Sequence, residues 1–262
     1  VDVTLNATDD PSFFYSTAVY CISSSNPIPS ITGTPGGTFT ITGGGVINPI
    51  TGEIDIVGSG IGGYGVTYTT NGPCPAVFLY DVTILDNDDA TISDAGPFCA
   101  YDATFQLESV QSGGVWSGPG VDPITGVFDP SLANAGLNTI TYTIPGVCGD
   151  VQSIQIDVTP TPVVTTISDT TVTAGNPVDL FTIGSGGNYT WSPSTWLDCD
   201  DCQNPISTPE DPITYVVTLE ENGCIASTQV TINVIYDPVI FVPNIFSPNG
   251  DGNNDILYVR GK

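Results

Sequence analysis

The chain has 262 residues, with 2 Lys or Arg against 28 Asp or Glu, no His, and a formal charge of −26. Residues 1–259 carry no cationic side chain, which leaves nothing to build a nucleic-acid-binding face or to hold an anionic membrane surface. Without His there is no Ser-His-Asp or Cys-His pair, and without Lys in its body the chain has neither Schiff-base chemistry nor Lys–Asn crosslinks.

Val, Ile, Thr and Tyr run in short alternating stretches cut by 30 Gly and 22 Pro, which predicts many short strands. The acidic residues are 23 Asp and 5 Glu, a ratio that favours turns, caps and calcium loops over solvated helix faces. No stretch approaches the roughly 18 apolar residues of a bilayer span, so no direct membrane insertion is expected.

In chain order, Asp2-Val3-Thr4-Leu5 followed by Asp9-Asp10 resembles Asp81-Val82-Thr83-Ile84 followed by Asp88-Asp89. Residues 1–5 therefore read as the last strand of a preceding repeat. The first domain is placed at 6–86. Its Asn48-Pro49-Ile50-Thr51-Gly52-Glu53-Ile54-Asp55 matches Asp122-Pro123-Ile124-Thr125-Gly126-Val127-Phe128-Asp129, 74 positions later. The same offset carries Val66-Thr67-Tyr68-Thr69 onto Ile140-Thr141-Tyr142-Thr143 and Cys74 onto Cys148. Gly36-Gly37 before Phe39 similarly anticipates Gly113-Gly114 before Trp116. A second homologous domain thus occupies 87–159.

A third unit, 160–235, has different wording. Tyr189-Thr190-Trp191-Ser192-Pro193 lies in its middle. Ile213–Thr218, Asn222-Gly223-Cys224 and Gln229–Val234 then form a strand–turn–strand hairpin signal. Residues 236–262 are a linker and a further segment. Short strands with turns every 8–12 residues predict an all-β fold of tandem immunoglobulin-like β-sandwiches in a rod-like array. Domains this small are marginal on core burial alone, which gives disulfides a structural task.

Seven cysteines without His point to an oxidising compartment. Their repeated placement, one before the central strands and one at the last hairpin, predicts Cys21–Cys74 and Cys99–Cys148. Cys199-Asp200-Asp201-Cys202 admits a redox motif, a zinc site or a local disulfide. No helix start supports the first, and the second needs two further ligands where, without His, only Cys224 is available, so Cys199–Cys202 is taken as a bridge. Cys224 is then left unpaired. Trp116, Trp191 and Trp196 admit a carbohydrate platform, but Trp116 and Trp191 follow Gly-rich turns on strands, where core packing is the commoner role. A glycosidase carboxylate pair is allowed by composition, yet three small repeats offer no large cleft, and 10 of the 23 Asp stand directly beside Gly, Pro or Asn, as turn residues do. No catalytic residue is assigned.

Phe241–Asp255 contains Pro243-Asn244-Ile245-Phe246-Ser247-Pro248-Asn249-Gly250-Asp251-Gly252-Asn253-Asn254-Asp255. This run resembles the opening of the gliding-motility-associated, type B C-terminal sorting domain of Bacteroidota type IX secretion cargo. The resemblance implies a sorting motif at Pro243, Asn244, Phe246, Pro248, Asn249, Gly250, Asp251, Gly252, Asn254 and Asp255. It implies as partners the secretion translocon and its surface-attachment machinery, and an extracellular location at the outer membrane. Asp10-Pro11-Ser12-Phe13-Phe14-Tyr15, Tyr20-Cys21 and the Thr-Gly-x-Ile-Asp segment resemble tandem Ig-like repeats of large adhesins of that phylum. Tyr189–Pro193, Cys199–Cys202 and Cys224 are similar to PKD-like modules. These usually carry a Cys where this chain has Ala174-Gly175-Asn176, which agrees with an unpaired Cys224. Asp169-Thr170-Thr171 matches the short O-glycosylation pattern of the phylum, with Thr170 as acceptor.

Asn249, Asp251, Asn253 and Asp255 alternate with residues that include two glycines, which suits calcium, the single candidate cofactor; a tight polar turn is the competing reading. The functional expectation is a structural stalk segment of a secreted surface adhesin. The alternatives are glycan-binding modules beside an extracellular enzyme, or a fibre subunit joined to neighbouring copies.

Overall fold

The computed structural model describes residues 7–237 and Gly250. The expected preceding-repeat strand at 1–5, the sorting run apart from Gly250, and the calcium candidates Asn249, Asp251, Asn253 and Asp255 therefore lie outside the described residues. The fold is a tandem series of Ig-like β-sandwiches. Among the described residues, regular structure other than strand is limited to Ile56–Ser59, a four-residue helix, and Pro130–Leu132, a 3-10 turn.

One four-stranded sheet recurs three times with a single order: opening strand, second hairpin strand, first hairpin strand, edge strand. The first sheet runs Val19–Cys21, Val77–Leu85, Gly62–Thr69, Thr38–Ile41. The second runs Phe98–Cys99, Val151–Thr159, Gly136–Thr143, Val115–Ser117. The third runs Thr170–Thr173, Cys224–Ile235, Ile213–Glu221, Asn188–Ser192. Short two-stranded sheets complete each repeat, such as Phe13–Phe14 with Ser30–Ile31 and Phe105–Gln106 with Val127–Phe128. The chain divides into two compact units, Val1–Gly96 with Ala103–Asp157, and Pro97–Asp102 with Val158–Lys262.

Period-two alternation explains why these segments are strands and which face is core. Tyr64, Val66 and Tyr68 are buried while their neighbours are not, and Ile140 with Tyr142, then Tyr215, Val217 and Leu219, repeat the pattern. Phe13, Phe39, Tyr68, Val82 and Ile84 anchor the first core, and Leu180, Trp191, Tyr215, Val230 and Ile232 the third. Edge-to-face contacts such as Phe13–Phe39, centroids 5.3 Å apart, add to simple burial.

The Gly-Gly pair before each of the first two edge strands has a physical cause. The first glycine takes a left-handed backbone, φ 86° at Gly36 and 100° at Gly113. The second has no room for a side chain: a Cβ on Gly37 would lie 2.3 Å from the Thr69 carbonyl oxygen, and one on Gly114 2.6 Å from that of Thr143. Both glycines instead donate their N–H to a core tyrosine hydroxyl, Gly37 to Tyr68 at 2.8 Å and Gly114 to Tyr142 at 2.7 Å. Each hydroxyl then donates to a loop carbonyl, Thr34 at 2.9 Å and Gln111 at 3.0 Å. Gly114→Ala is expected to lose about 1–3 kcal/mol by forcing backbone apart in a packed core, read from the shift in the urea midpoint.

Candidate functional site

Three local devices recur, and they account for most of the residues the sequence singles out. The first is the Asn/Asp-Pro-Ile-Thr-Gly turn. Asn48 Oδ1 accepts the N–H of Ile50 at 2.9 Å and of Thr51 at 3.2 Å. Asp122 Oδ1 accepts those of Ile124 at 3.0 Å and Thr125 at 2.8 Å. Gly52 and Gly126 follow in left-handed conformation, φ 73° and 71°. The Asp that ends each motif caps the next turn: Asp55 accepts the Gly58 N–H at 2.9 Å, and Asp129 the Ser131 N–H at 2.9 Å. The proline carbonyls of the turns hold the edge strands, accepting Phe39 N–H at 3.0 Å and Trp116 N–H at 3.1 Å.

The third repeat puts Cys199-Asp200-Asp201-Cys202 in this place. Trp191 N–H donates to the Asp200 carbonyl at 2.7 Å, and its indole N–H to that of Cys202 at 3.0 Å. Cys199 and Cys202 are bonded to each other, as the sequence reading has it. The bridge closes a turn whose carbonyls receive the core tryptophan, and this is a structural task. Asp198 lies beside the two sulfurs, but in the bridged form neither sulfur is a thiolate able to ligate a metal.

The second device is a bridged loop, and here the expected pairings fail. Cys21 is bonded to Cys148 and Cys99 to Cys224, with Cα–Cα distances of 5.5 and 5.6 Å. Cys21 is thus not joined to Cys74, Cys99 is not joined to Cys148, and Cys224 is not unpaired. The cause is the direction of the opening strand. Val19–Cys21 runs parallel to Val77–Leu85, with Cys21 opposite Leu85 at that strand's far end. Cys74 precedes the strand's start, which puts it about 26 Å away at 3.3 Å per residue. A disulfide needs Cα atoms within about 7 Å. Phe98–Cys99 repeats the arrangement, with Cys99 opposite Thr159 at the end of Val151–Thr159. The early cysteine of one repeat therefore meets the hairpin loop of the next.

Backbone contacts confirm this placement. Asp88 N–H donates to the Cys148 carbonyl at 2.9 Å, and Asp9 N–H to the equivalent Cys74 carbonyl at 3.1 Å. Ile225 N–H, beside Cys224, donates to the Tyr101 hydroxyl at 2.7 Å. A shallow hollow lined by Phe98, Tyr101, Asp102 and Ile225 borders the second bridge, and one lined by Ser23, Asn87 and Asp150 borders the first.

The third device is the aspartate cap. Asp10 accepts the Ser12 N–H at 3.0 Å, Asp89 the Thr91 N–H at 2.9 Å, Asp102 the Cys99 N–H at 2.7 Å and Asp198 the Ile206 N–H at 2.7 Å. These are the turns and caps that the excess of Asp over Glu anticipates. Hydrogen bonds from Ser12 and Thr91, in each case the side chain first and then the backbone, hold Asp10 and Asp89 below the usual carboxylate range. Asp122 is held down first by the Thr125 backbone N–H, then by its hydroxyl and by Ile124. A depressed folded value means that the stabilisation is present above the unfolded value near 4 and is lost as pH falls through the folded one. Asn48, which does not titrate there, occupies the Asp122 position in the first repeat. Asp122→Asn is therefore expected to leave neutral stability nearly unchanged and to flatten the loss of Tm between pH 4 and pH 2.

Trp116 and Trp191 are buried at 5% and 2% exposure, so they are core residues and offer no sugar platform. Trp196 is half-buried with φ 64°. Thr170 opens the strand Thr170–Thr173 and is half-buried. Among the described residues no buried side-chain nitrogen or oxygen lacks a hydrogen-bond partner, and no helix is long and apolar enough to cross a membrane.

No family model matches the chain, and no curated protein matches it. Solved structures of tandem domains do. Extracellular domains 3–5 of Drosophila OTK align over 83% of this chain and 93% of theirs, at 10% identity and a TM-score of 0.36. Titin domains I67–I69, in an E-to-A mutated variant, cover 88% and 100% at 11% identity and a TM-score of 0.45. The insect immune protein hemolin covers 88% and 78% at 10% identity and a TM-score of 0.35.

Proposed function

We propose that this chain is a structural, non-catalytic stalk segment of a secreted cell-surface adhesin, exported by a type IX secretion system and held at the outer surface. The observation that carries the structural part is how its polar residues are used. The repeated Asp, Asn, Gly, Trp and Cys positions serve as turn caps, strand anchors and bridges. Among the described residues, such positions build a scaffold. Disulfides agree with an oxidising location outside the cytoplasm. The export part rests on the resemblance of Phe241–Asp255 to a sorting domain, and surface attachment follows from that resemblance alone.

The two parts are tested separately. Deleting the parent protein from Phe241 onward is expected to abolish surface labelling while the 1–240 segment keeps its thermal transition. Undiminished surface labelling after the deletion would overturn the export reading. The scaffold reading would be overturned by saturable glycan binding by this chain that Trp196→Ala removes.

A further inference from the structure

Each long bridge is a stability device when considered alone, but the two together have a topology that neither has singly. Cys21–Cys148 and Cys99–Cys224 span 127 and 125 positions, and their loops overlap between residues 99 and 148. Each cystine is one covalent node. Three chain segments join the two nodes: 21–99, 99–148 and 148–224. They contain about 80, 50 and 75 residue steps of at most ~3.6 Å each.

We infer that these overlapping bridges form a covalent extension limiter, which caps how far the chain lengthens under tension and keeps its ends joined after any single backbone cut between the nodes. The inference goes beyond the stalk reading and holds whatever the chain supports, since it needs only the connectivity. Under tension on the two ends, the segment that becomes taut first is the shortest, 99–148. The other two then hang slack in parallel and carry no load. The limiting length from Cys21 to Cys224 is roughly 170 Å with both bridges intact and roughly 700 Å with both reduced, about a fourfold difference. Within-repeat bridges, Cys21–Cys74 and Cys99–Cys148, would place two short loops in series. They would leave roughly 350 Å of extensible chain over the same span.

Overlap also makes the bridges non-additive. One bridge alone hides about 125 steps, but both together hide about 155 rather than twice that number, because the middle segment is shared. The same connectivity protects against nicking. Cutting any one of the three segments leaves two others between the nodes.

Two measurements test this. In single-molecule pulling on the 262-residue chain held by its ends, reductant is expected to lengthen the fully extended chain by roughly 500 Å. The Cys21→Ser/Cys148→Ser pair is expected to release only roughly 100 Å of that. A lengthening near 350 Å on reduction would overturn the proposal, as would equal releases from the two bridges that sum to the total. The second measurement needs no force. The chain has 2 Lys or Arg, Arg260 and Lys262, so Asp86→Lys or Val163→Lys introduces a single internal trypsin site. After unfolding in urea with bridges intact and digestion, each variant is expected to run as one band without reductant and as two with it. Two bands without reductant from either variant would overturn the limiter.

Discussion

Reducing Cys21–Cys148 and Cys99–Cys224 is expected to produce the largest loss of stability available to this chain. Closing a loop of 127 or 125 positions removes chain entropy from the unfolded state worth on the order of 5 kcal/mol in the loop-closure account. That is as large as the total stability of many small domains, about 5–15 kcal/mol. The second bridge contributes less than the first, because segment 99–148 is already constrained when it closes. Urea unfolding with and without reductant reads the effect directly. The midpoint should fall sharply on reduction, and Cys99→Ser/Cys224→Ser should fall short of the full loss. Reduction of Cys199–Cys202 alone should matter little to chain entropy, since its loop spans 3 positions.

Trp191→Ala is expected to be the costliest single core substitution in the third sandwich. Trp191 is 2% exposed, lies edge-on to Tyr215 at 6.4 Å, and donates its indole N–H to the Cys202 carbonyl. Truncating a buried tryptophan costs about 3–5 kcal/mol through lost transfer energy and the cavity left behind. Here the Cys202 carbonyl also loses its donor. Trp191→Phe keeps most of the ring and forfeits mainly the hydrogen bond, about 1 kcal/mol. Urea titration followed by Tyr and Trp fluorescence should order the midpoints wild type, Phe, Ala. An Ala variant as stable as the Phe variant would show that the indole is peripheral to this core.

The strands and the repeats were legible because their causes are local. Alternation in Val66–Thr69 and Ile140–Thr143 sets the buried face, and the Pro-Ile-Thr-Gly turn needs a side-chain acceptor and a left-handed glycine at fixed spacing. Cys199–Cys202 was legible for the same reason. Its role was not, because nothing in the wording of the third repeat shows that this turn replaces Asn48–Gly52 and Asp122–Gly126 beneath the edge strand. The long bridges were misread because sequence placement does not reveal strand direction. Cys21 and Cys74 look like partners in a row of residues. Parallel pairing of Val19–Cys21 with the end of Val77–Leu85 carries Cys21 to the opposite end of its own sandwich. One signal pointed the right way: Asp88-Asp89 directly follows that strand, so the chain beside Cys21 already leads into the next repeat.

Successive repeats are covalently tied, the early cysteine of one to the hairpin loop of the next. Mass mapping of peptides from a non-reduced digest, made on chain recovered from the extracellular fraction, tests it most directly. Cystine peptides joining Cys21 to Cys148 and Cys99 to Cys224 are expected. Recovery of Cys21 linked to Cys74 and Cys99 linked to Cys148 would contradict it.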